Sequence, residues 1–380
     1  MGALDGVRVV ELAGIGPGPF CGMMLADMGA DVVRIDRVEA VRGGDPSKPP
    51  PNVNARGRRS IGVDLKSDEG RKLVLQMVAD ADVVFEGFRP GVAERLGLGP
   101  DACLASNPAI VYGRMTGWGQ DGPYAHAAGH DINYVALAGA LAHMGRNDSG
   151  PVPPLNLVGD FGGGGMYLAF GIVCALFSAR STGQGQVVDA AMVDGAASLM
   201  SFFYGMFHSG FSTENRGENM LDTGAHFYDV YKCSDGEYIS IGSIEPQFYA
   251  ELVEKLELDP DDFAEQHNQS RWPELKTKVA AVVATRTRDE WNAILEGSNV
   301  CYAPVLKVSE AVVHPHHVAR GTFVESGGIV QPGPAPRLSG TPGAIRRPPP
   351  HEGQHTEELL GELGLGAAEV AALRASGAVA

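Results

Sequence analysis

Short apolar runs alternate with helical patterns through the first half of this chain. That alternation constrains the fold more than any other feature. Residues 7–12, 31–36, 82–86 and 109–113 read as strands. Residues 20–28 read as a helix, and Ser67, Asp68 and Glu69 open an acid-rich helix start that runs on to residue 78. Strands alternating with helices join through right-handed crossovers into a parallel sheet. The expected class is therefore α/β, and ligands of such sheets sit beyond the strand C-termini.

The second half is patterned differently. Residues 161–177 are glycine-rich and then apolar, which suits a close-packed helix. Residues 187–192 are strand-like, and an apolar helix is expected to continue to Phe207. Residues 209–219 are polar and turn-rich. Residues 228–233 and 237–242 flank the turn Ser234, Asp235, Gly236 and read as a β-hairpin. Helices are expected around 247–256, 272–285, 288–295 and 356–363, with a proline-rich extended segment from Pro332 to Pro350. The expected domains are 1–190 completed by 325–380, a linker at 191–224, and a smaller α+β domain at 225–324.

Bulk properties exclude several classes. A net charge of -16 argues against general affinity for nucleic acid or anionic membranes. No apolar run is read as reaching the ~20 residues of a membrane span. The five cysteines are odd in number and never spaced as C-x-x-C, so neither a disulfide framework nor a zinc site is expected. Pro315 interrupts the one histidine cluster, His314, His316 and His317, and no structural metal is expected there. The N-terminal residues lack a basic-then-apolar leader pattern, and a cytoplasmic location is expected.

Gly14, Gly16 and Gly18 after the first strand, with Asp36 about twenty residues on, mimic a dinucleotide fingerprint. The match fails because Pro19 stands where the last glycine belongs. Pro17 and Pro19 also remove two N–H donors that a pyrophosphate would need. A stiff turn that starts a helix remains, with Ile15 at its lip. The chemistry lies elsewhere. His130 follows Gly129 and Asp160 follows Gly159, each at the head of a segment that reads as a helix start. A base, an acid and the free N–H groups of a helix start suit a reaction that creates an anion between two proton carriers. Alone, these residues read more readily as a helix-capping or core histidine and an ordinary N-cap aspartate.

Several separated segments carry a resemblance. They are residues 9–19, 29–37, 64–67, 89–92, 114–123 and 186–192, joined by 129–134 and 245–249. Together they resemble the family III CoA-transferase superfamily across nearly the whole chain, and the last two segments resemble its racemase branch. The resemblance implies an interlocked homodimer, with a Rossmann-like large domain and an inserted smaller one. It implies an enzyme that inverts the α-carbon of 2-methylacyl-CoA thioesters by proton transfer through an enolate. CoA is then part of the substrate, and no separate cofactor is expected. His130 would serve the 2S face and Asp160 the 2R face. Glu245 would orient His130 from the other subunit, and Tyr134 and Asn156 would line the pocket. The Asp131 backbone N–H would face the enolate oxygen. Ile15 would form the rim of the CoA site, with Arg37, Lys66, Arg89 and Arg95 meeting the CoA phosphates. Arg56, Arg58 and Arg59 form a basic run, for which solvated surface charge is the better reading of Arg56 and Arg58. Met192, Met200, Met206 and Met220 suit either an adaptable acyl surface or core packing. One departure is the run Gly162 to Gly165, where the family commonly ends in a larger residue. Glycine there loosens the helix or lets a ligand approach closely. The alternative activity is CoA transfer, with Asp160 as the acyl-accepting nucleophile.

Overall fold

The computed structural model describes all 380 residues, Met1–Ala380. Six parallel strands form the main sheet: β1 (Arg8–Leu12), β2 (Asp31–Asp36), β3 (Arg58–Gly62), β4 (Val83–Glu86), β5 (Val111–Thr116) and β6 (Gln186–Ala191). Their spatial order is β3-β2-β1-β4-β5-β6, and every neighbouring pair is parallel. The central strands β1, β2 and β4 are largely apolar and buried because both faces of the sheet are covered there. Val9, Val32, Val83, Phe85 and Val111 point to one face, against Cys21 and Leu25 of α1 (Pro17–Asp27) and Leu168 and Ile172 further along the chain. Val10, Leu12, Ile35, Val84 and Tyr112 point to the other, against Leu73, Val74 and Val78 of α2 (Asp68–Ala79) and the returning Leu359 and Leu360. The period-2 alternation of strand side chains thus feeds two cores from one sheet.

β3 departs from the sequence reading, which took its arginines for a basic run. Arg56 and Arg58 are 2% and 0% exposed, so solvated surface charge is wrong for both. Arg58 donates to the Glu11 carboxylate at 2.7 Å and to the backbone carbonyls of Pro19 and Asn54. Arg56 reaches Asp27 at 2.6 Å, Gln331 and the Pro332 carbonyl. Arg59 bridges Asp31, Glu358 and Glu362. Burial is tolerated because each planar fork finds acceptors on several sides.

Two shorter helices follow β4, α3 (Val92–Arg95) and α4 (Pro100–Ser106). After β5 comes α5 (Asp131–Leu137). A wide π-helical stretch, Leu157–Gly165, then runs straight into α6 (Met166–Thr182). Together they make a 26-residue helix, long and apolar enough to cross a membrane by length and composition alone. That corrects the sequence reading, in which the glycines concealed a run of this length. Leu168, Ile172, Ala175, Leu176 and Ala179 are buried along the α6 face that meets the sheet. The single apolar helix expected up to Phe207 is two, α7 (Met192–Leu199) and α8 (Ser201–His208), broken at Met200.

The chain divides into two compact units. The first comprises 1–138, 155–199 and 315–380, and contains the sheet. The second comprises 139–154 and 200–314. Its antiparallel sheet joins β7 (Tyr228–Lys232), β8 (Tyr238–Gly242) and β9 (Tyr302–Pro304), so the expected hairpin gains a third strand. Helices α9 (Pro246–Lys255), α10 (Trp272–Val283) and α11 (Arg288–Leu295) cover it through Leu252, Trp272, Leu275, Val279 and Trp291.

Removing Arg58 strands the Glu11 carboxylate in a dry interior. Arg58→Ala is expected to cost about 3–5 kcal/mol of stability, whereas the paired change Arg58→Met with Glu11→Leu recovers most of the loss. Urea denaturation of the three proteins checks this. A single-mutant loss below about 1 kcal/mol would contradict it.

Candidate active site

The strand order reverses at β1. From β1 the chain moves outward to β2 and β3, then returns to β4 on the other side. A crevice opens where neighbouring strands send their connections apart, beyond their C-terminal ends. The turn after β1 supplies Ile15, Gly16 and Pro17, the segment after β4 supplies Gly87 to Pro90, and the end of β5 leads to Gly117 and Trp118. With His130, Tyr134, Asn156, Asp160 and Met192 these line one cavity of about 490 Å³. The whole lining belongs to the first unit.

His130 is the extended residue that precedes α5, and its side chain is exposed. Its backbone N–H donates to Asn133 Oδ1 at 3.0 Å, which fixes the entry into the helix. The next residue, Asp131, is buried, and its Oδ1 accepts the backbone N–H of Asp160 at 2.6 Å. One charge-assisted bond therefore ties the His130 segment to the Asp160 segment. Only glycine fits before Asp160: a Cβ at Gly159 would stand 2.5 Å from Asp131 Oδ1.

Asp160 does not cap a helix. The helical stretch begins at Leu157, and Asp160 lies within its first turn. The wide turn is held from outside. A Cβ at Gly163 would stand 2.7 Å from the Ala196 backbone nitrogen, and one at Gly165 would stand 2.7 Å from the Pro17 carbonyl. The room left by these glycines is thus filled by α7 and the start of α1 rather than by a ligand. Gly16 approaches Asp160 from the other side with φ of 66°: a Cβ there would lie 3.1 Å from Asp160 Oδ2. Asn156 Nδ2 donates to the same oxygen at 3.2 Å.

Burial pushes the Asp160 carboxyl above the ordinary aspartate range, and the Asp131 charge adds to the rise. The Asn156 hydrogen bond and His130 oppose it. Asp160 therefore retains a proton more readily than a free carboxyl, on the same cavity as an imidazole. Tyr134 is buried, with its ring edge-on to Trp118 at 4.7 Å. The sequence reading did not single out Trp118 as a site residue. Its position at the C-terminal end of a strand was the available signal.

The expected phosphate-binding residues divide. Arg89 lines the His130 cavity, and Ile15 stands at its rim, 83% exposed. Arg37 and Lys66 line a second cavity of about 580 Å³ with Asp64, Leu65, Val92 and Leu96. Phe88 lines both cavities. Arg95 is exposed at the end of α3 and lines neither. Glu245 belongs to the second unit, exposed at the N-cap position of α9, where its carbonyl accepts from Tyr249 at 2.9 Å. Of the methionines, Met192 lines the His130 cavity. Met206 and Met220 line a separate apolar cavity within the second unit, with Phe202 and Phe211. Met200 is buried and lines neither cavity.

Asn156→Ala removes the hydrogen bond that favours ionised Asp160. The Asp160 titration is expected to move to higher pH, as read by the pH dependence of its carboxyl band in infrared difference spectra. An unchanged or lower midpoint would contradict the arrangement.

The comparisons with known proteins agree with one another. Residues 4–356 match the family profile of CoA-transferase family III. The chain is 47% identical over 369 residues to a Mus musculus protein named alpha-methylacyl-CoA racemase, covering 97% of this chain and 95% of that protein. It is 45% identical over 371 residues to the Homo sapiens protein of the same name, with the same coverage. Among solved structures, a CAIB/BAIF family protein from Brucella suis superposes with a TM-score of 0.82 at 28% identity, covering 95% of this chain and 99% of that one.

Proposed function

The chain belongs to CoA-transferase family III, and on that footing we propose that it is an enzyme that inverts the α-carbon of 2-methylacyl-CoA thioesters. The observation that carries the reading is the shared cavity of His130 and Asp160, tied together through Asp131. In the 2S direction the His130 imidazole takes the α-proton, the C–H electron pair forms a π bond to the carbonyl carbon, and the carbonyl π pair moves onto the thioester oxygen. The resulting enolate is planar at carbon. Protonated Asp160 then returns a proton to the opposite face, which leaves imidazolium and carboxylate. In the 2R direction the roles exchange, and solvent restores the starting protonation states. The raised affinity of Asp160 for its proton supports its part as a donor. The Asp131 backbone N–H is the donor to the enolate oxygen, with Tyr134 and Asn156 shaping the pocket.

CoA needs positive charge for its phosphates. Arg89 in one cavity and Arg37 and Lys66 in the next supply it, and Arg95 adds positive potential from outside both. Met192 faces the acyl end. We further propose the interlocked homodimer, in which Glu245 of the partner subunit orients His130. The exposed apolar side chains Phe170 and Phe177 of α6 support a partner surface. The second reading is CoA transfer through an Asp160 anhydride. His130 favours the first, because transfer has no use for a base there.

Incubation with a 2-methylacyl-CoA in heavy water tests the choice. Deuterium is expected at the α-carbon, and His130→Ala and Asp160→Ala are each expected to cut inversion by about 10³-fold while CoA binding persists. CoA appearing on an added carboxylate, with no α-exchange, would overturn the proposal.

A further inference from the structure

The wall between the two cavities is held by a charge cluster that has no part in the proton transfers. Glu86 ends β4 and is the register partner of Arg114 on β5. Both are buried, Glu86 at 1% exposure. The Arg114 guanidinium meets Glu86 Oε1 at 3.4 Å through Nε, and Glu94 of α3 at 2.9 Å through Nη1. The other Glu86 oxygen accepts the Phe88 backbone N–H at 2.6 Å. One guanidinium is therefore ion-paired to both ends of the 86–94 segment, more closely at Glu94 than at Glu86, where the 3.4 Å pair is too poorly aligned for a hydrogen bond, and the Glu86 carboxylate fixes Phe88. Between the grips lie Gly87, Phe88, Arg89 and Pro90, all on the His130 cavity, with Phe88 also on the Arg37 and Lys66 cavity.

We propose that Glu86, Arg114 and Glu94 form a clamp that sets the wall between the two cavities. These positioning residues hold Phe88 and Arg89 in place for a ligand that spans both. The proposal rests on reading that ligand as a CoA thioester. A thioester carries its reacting carbon and its phosphates at opposite ends, so the partition between the cavities fixes how far the carbon reaches. A wall that drifts weakens the grip on the CoA portion before it harms the proton carriers.

The cluster is short of positive charge. Arg114 faces Glu86 and Glu94, and Asp189 on β6 also senses it. Tyr112 on β5 is the remaining titratable group that Glu86 influences. Burial pushes the Glu86 carboxyl up to about 7 and the Glu94 charge adds to this, against the pull of the Phe88 N–H and Arg114. Ionised Glu86 thus grips Arg114 only above that range. A folded-state pKa raised above the unfolded one favours folding at low pH, and this contribution is lost as pH rises through about 7. The ionised clamp is maintained at a cost in stability.

Glu86→Gln keeps the size and an oxygen for Phe88 and removes the charge. CoA itself is the probe, titrated calorimetrically from about pH 5.5 to about pH 8.5, with kcat and KM for a 2-methylacyl-CoA measured over the same range. At the alkaline end the variant is expected to bind CoA about tenfold more weakly, with KM raised to match and kcat within about twofold. The gap closes as pH falls and the wild type protonates Glu86. Arg114→Lys, which keeps the charge but loses the fork, is expected to fall between the two. Thermal stability of Glu86→Gln at alkaline pH is expected to equal or exceed the wild type. Equal CoA affinity at every pH, a loss confined to kcat, a gap that ignores pH, or a destabilised variant would each overturn the clamp. Binding is read without turnover. A wild type that binds CoA but exchanges no α-proton therefore rejects the racemase reading and leaves the clamp test standing.

Discussion

The site depends on one hydrogen bond, from the Asp160 backbone N–H to the Asp131 carboxylate. His130 and Asp160 belong to segments that are separate in sequence. Sheet topology brings both to the same end of the strands, but topology alone sets positions only to within a loop's freedom. The bond removes that freedom. It fixes the residue that follows His130 to the backbone of Asp160, and it requires glycine at position 159. The same carboxylate raises the proton affinity of Asp160 through its charge. One carboxylate thus fixes the geometry and adds to a proton affinity that burial chiefly raises.

Buried charge is the recurring device around this site. Arg58 joins Glu11 on β1 to the Pro19 carbonyl, and so steadies the turn that brings Gly16 against Asp160. Arg114 does the equivalent for the segment after β4. Buried ion pairs seldom add much net stability, since desolvation offsets their attraction. Their use here is directional: a planar fork with several acceptors holds backbone carbonyls and carboxylates in one arrangement.

Much of this was legible in the sequence, and the exceptions have physical causes. Four of the six strands of the main sheet were marked by apolar runs placed between helices, and a fifth by a strand-like run at 187–192. β3 was not, because three arginines within four residues look solvated until their acceptors, scattered from Glu11 to Glu362, are brought together. His130 and Asp160 stood out through their glycine neighbours. The reason for Gly162 to Gly165 did not, because it lies in the backbones of α1 and α7 that press on the helix. Nor could the sequence show residues 139–154 folding with the second unit: the turn-rich cluster at 145–154 marks a loop but not which unit it joins. Local patterning shows which element a residue joins. Only long-range contacts show what that element must accommodate.

The central claim is that His130 and Asp160 act on opposite faces of one carbon. Enantiomerically pure thioesters incubated in heavy water with the Asp160→Ala protein test it most directly. His130 alone should exchange the α-proton of the 2S thioester with solvent and return it to the same face, giving labelled 2S material and no 2R product. The 2R thioester should stay unlabelled. Equal labelling of both enantiomers, or inversion of either, would contradict the account.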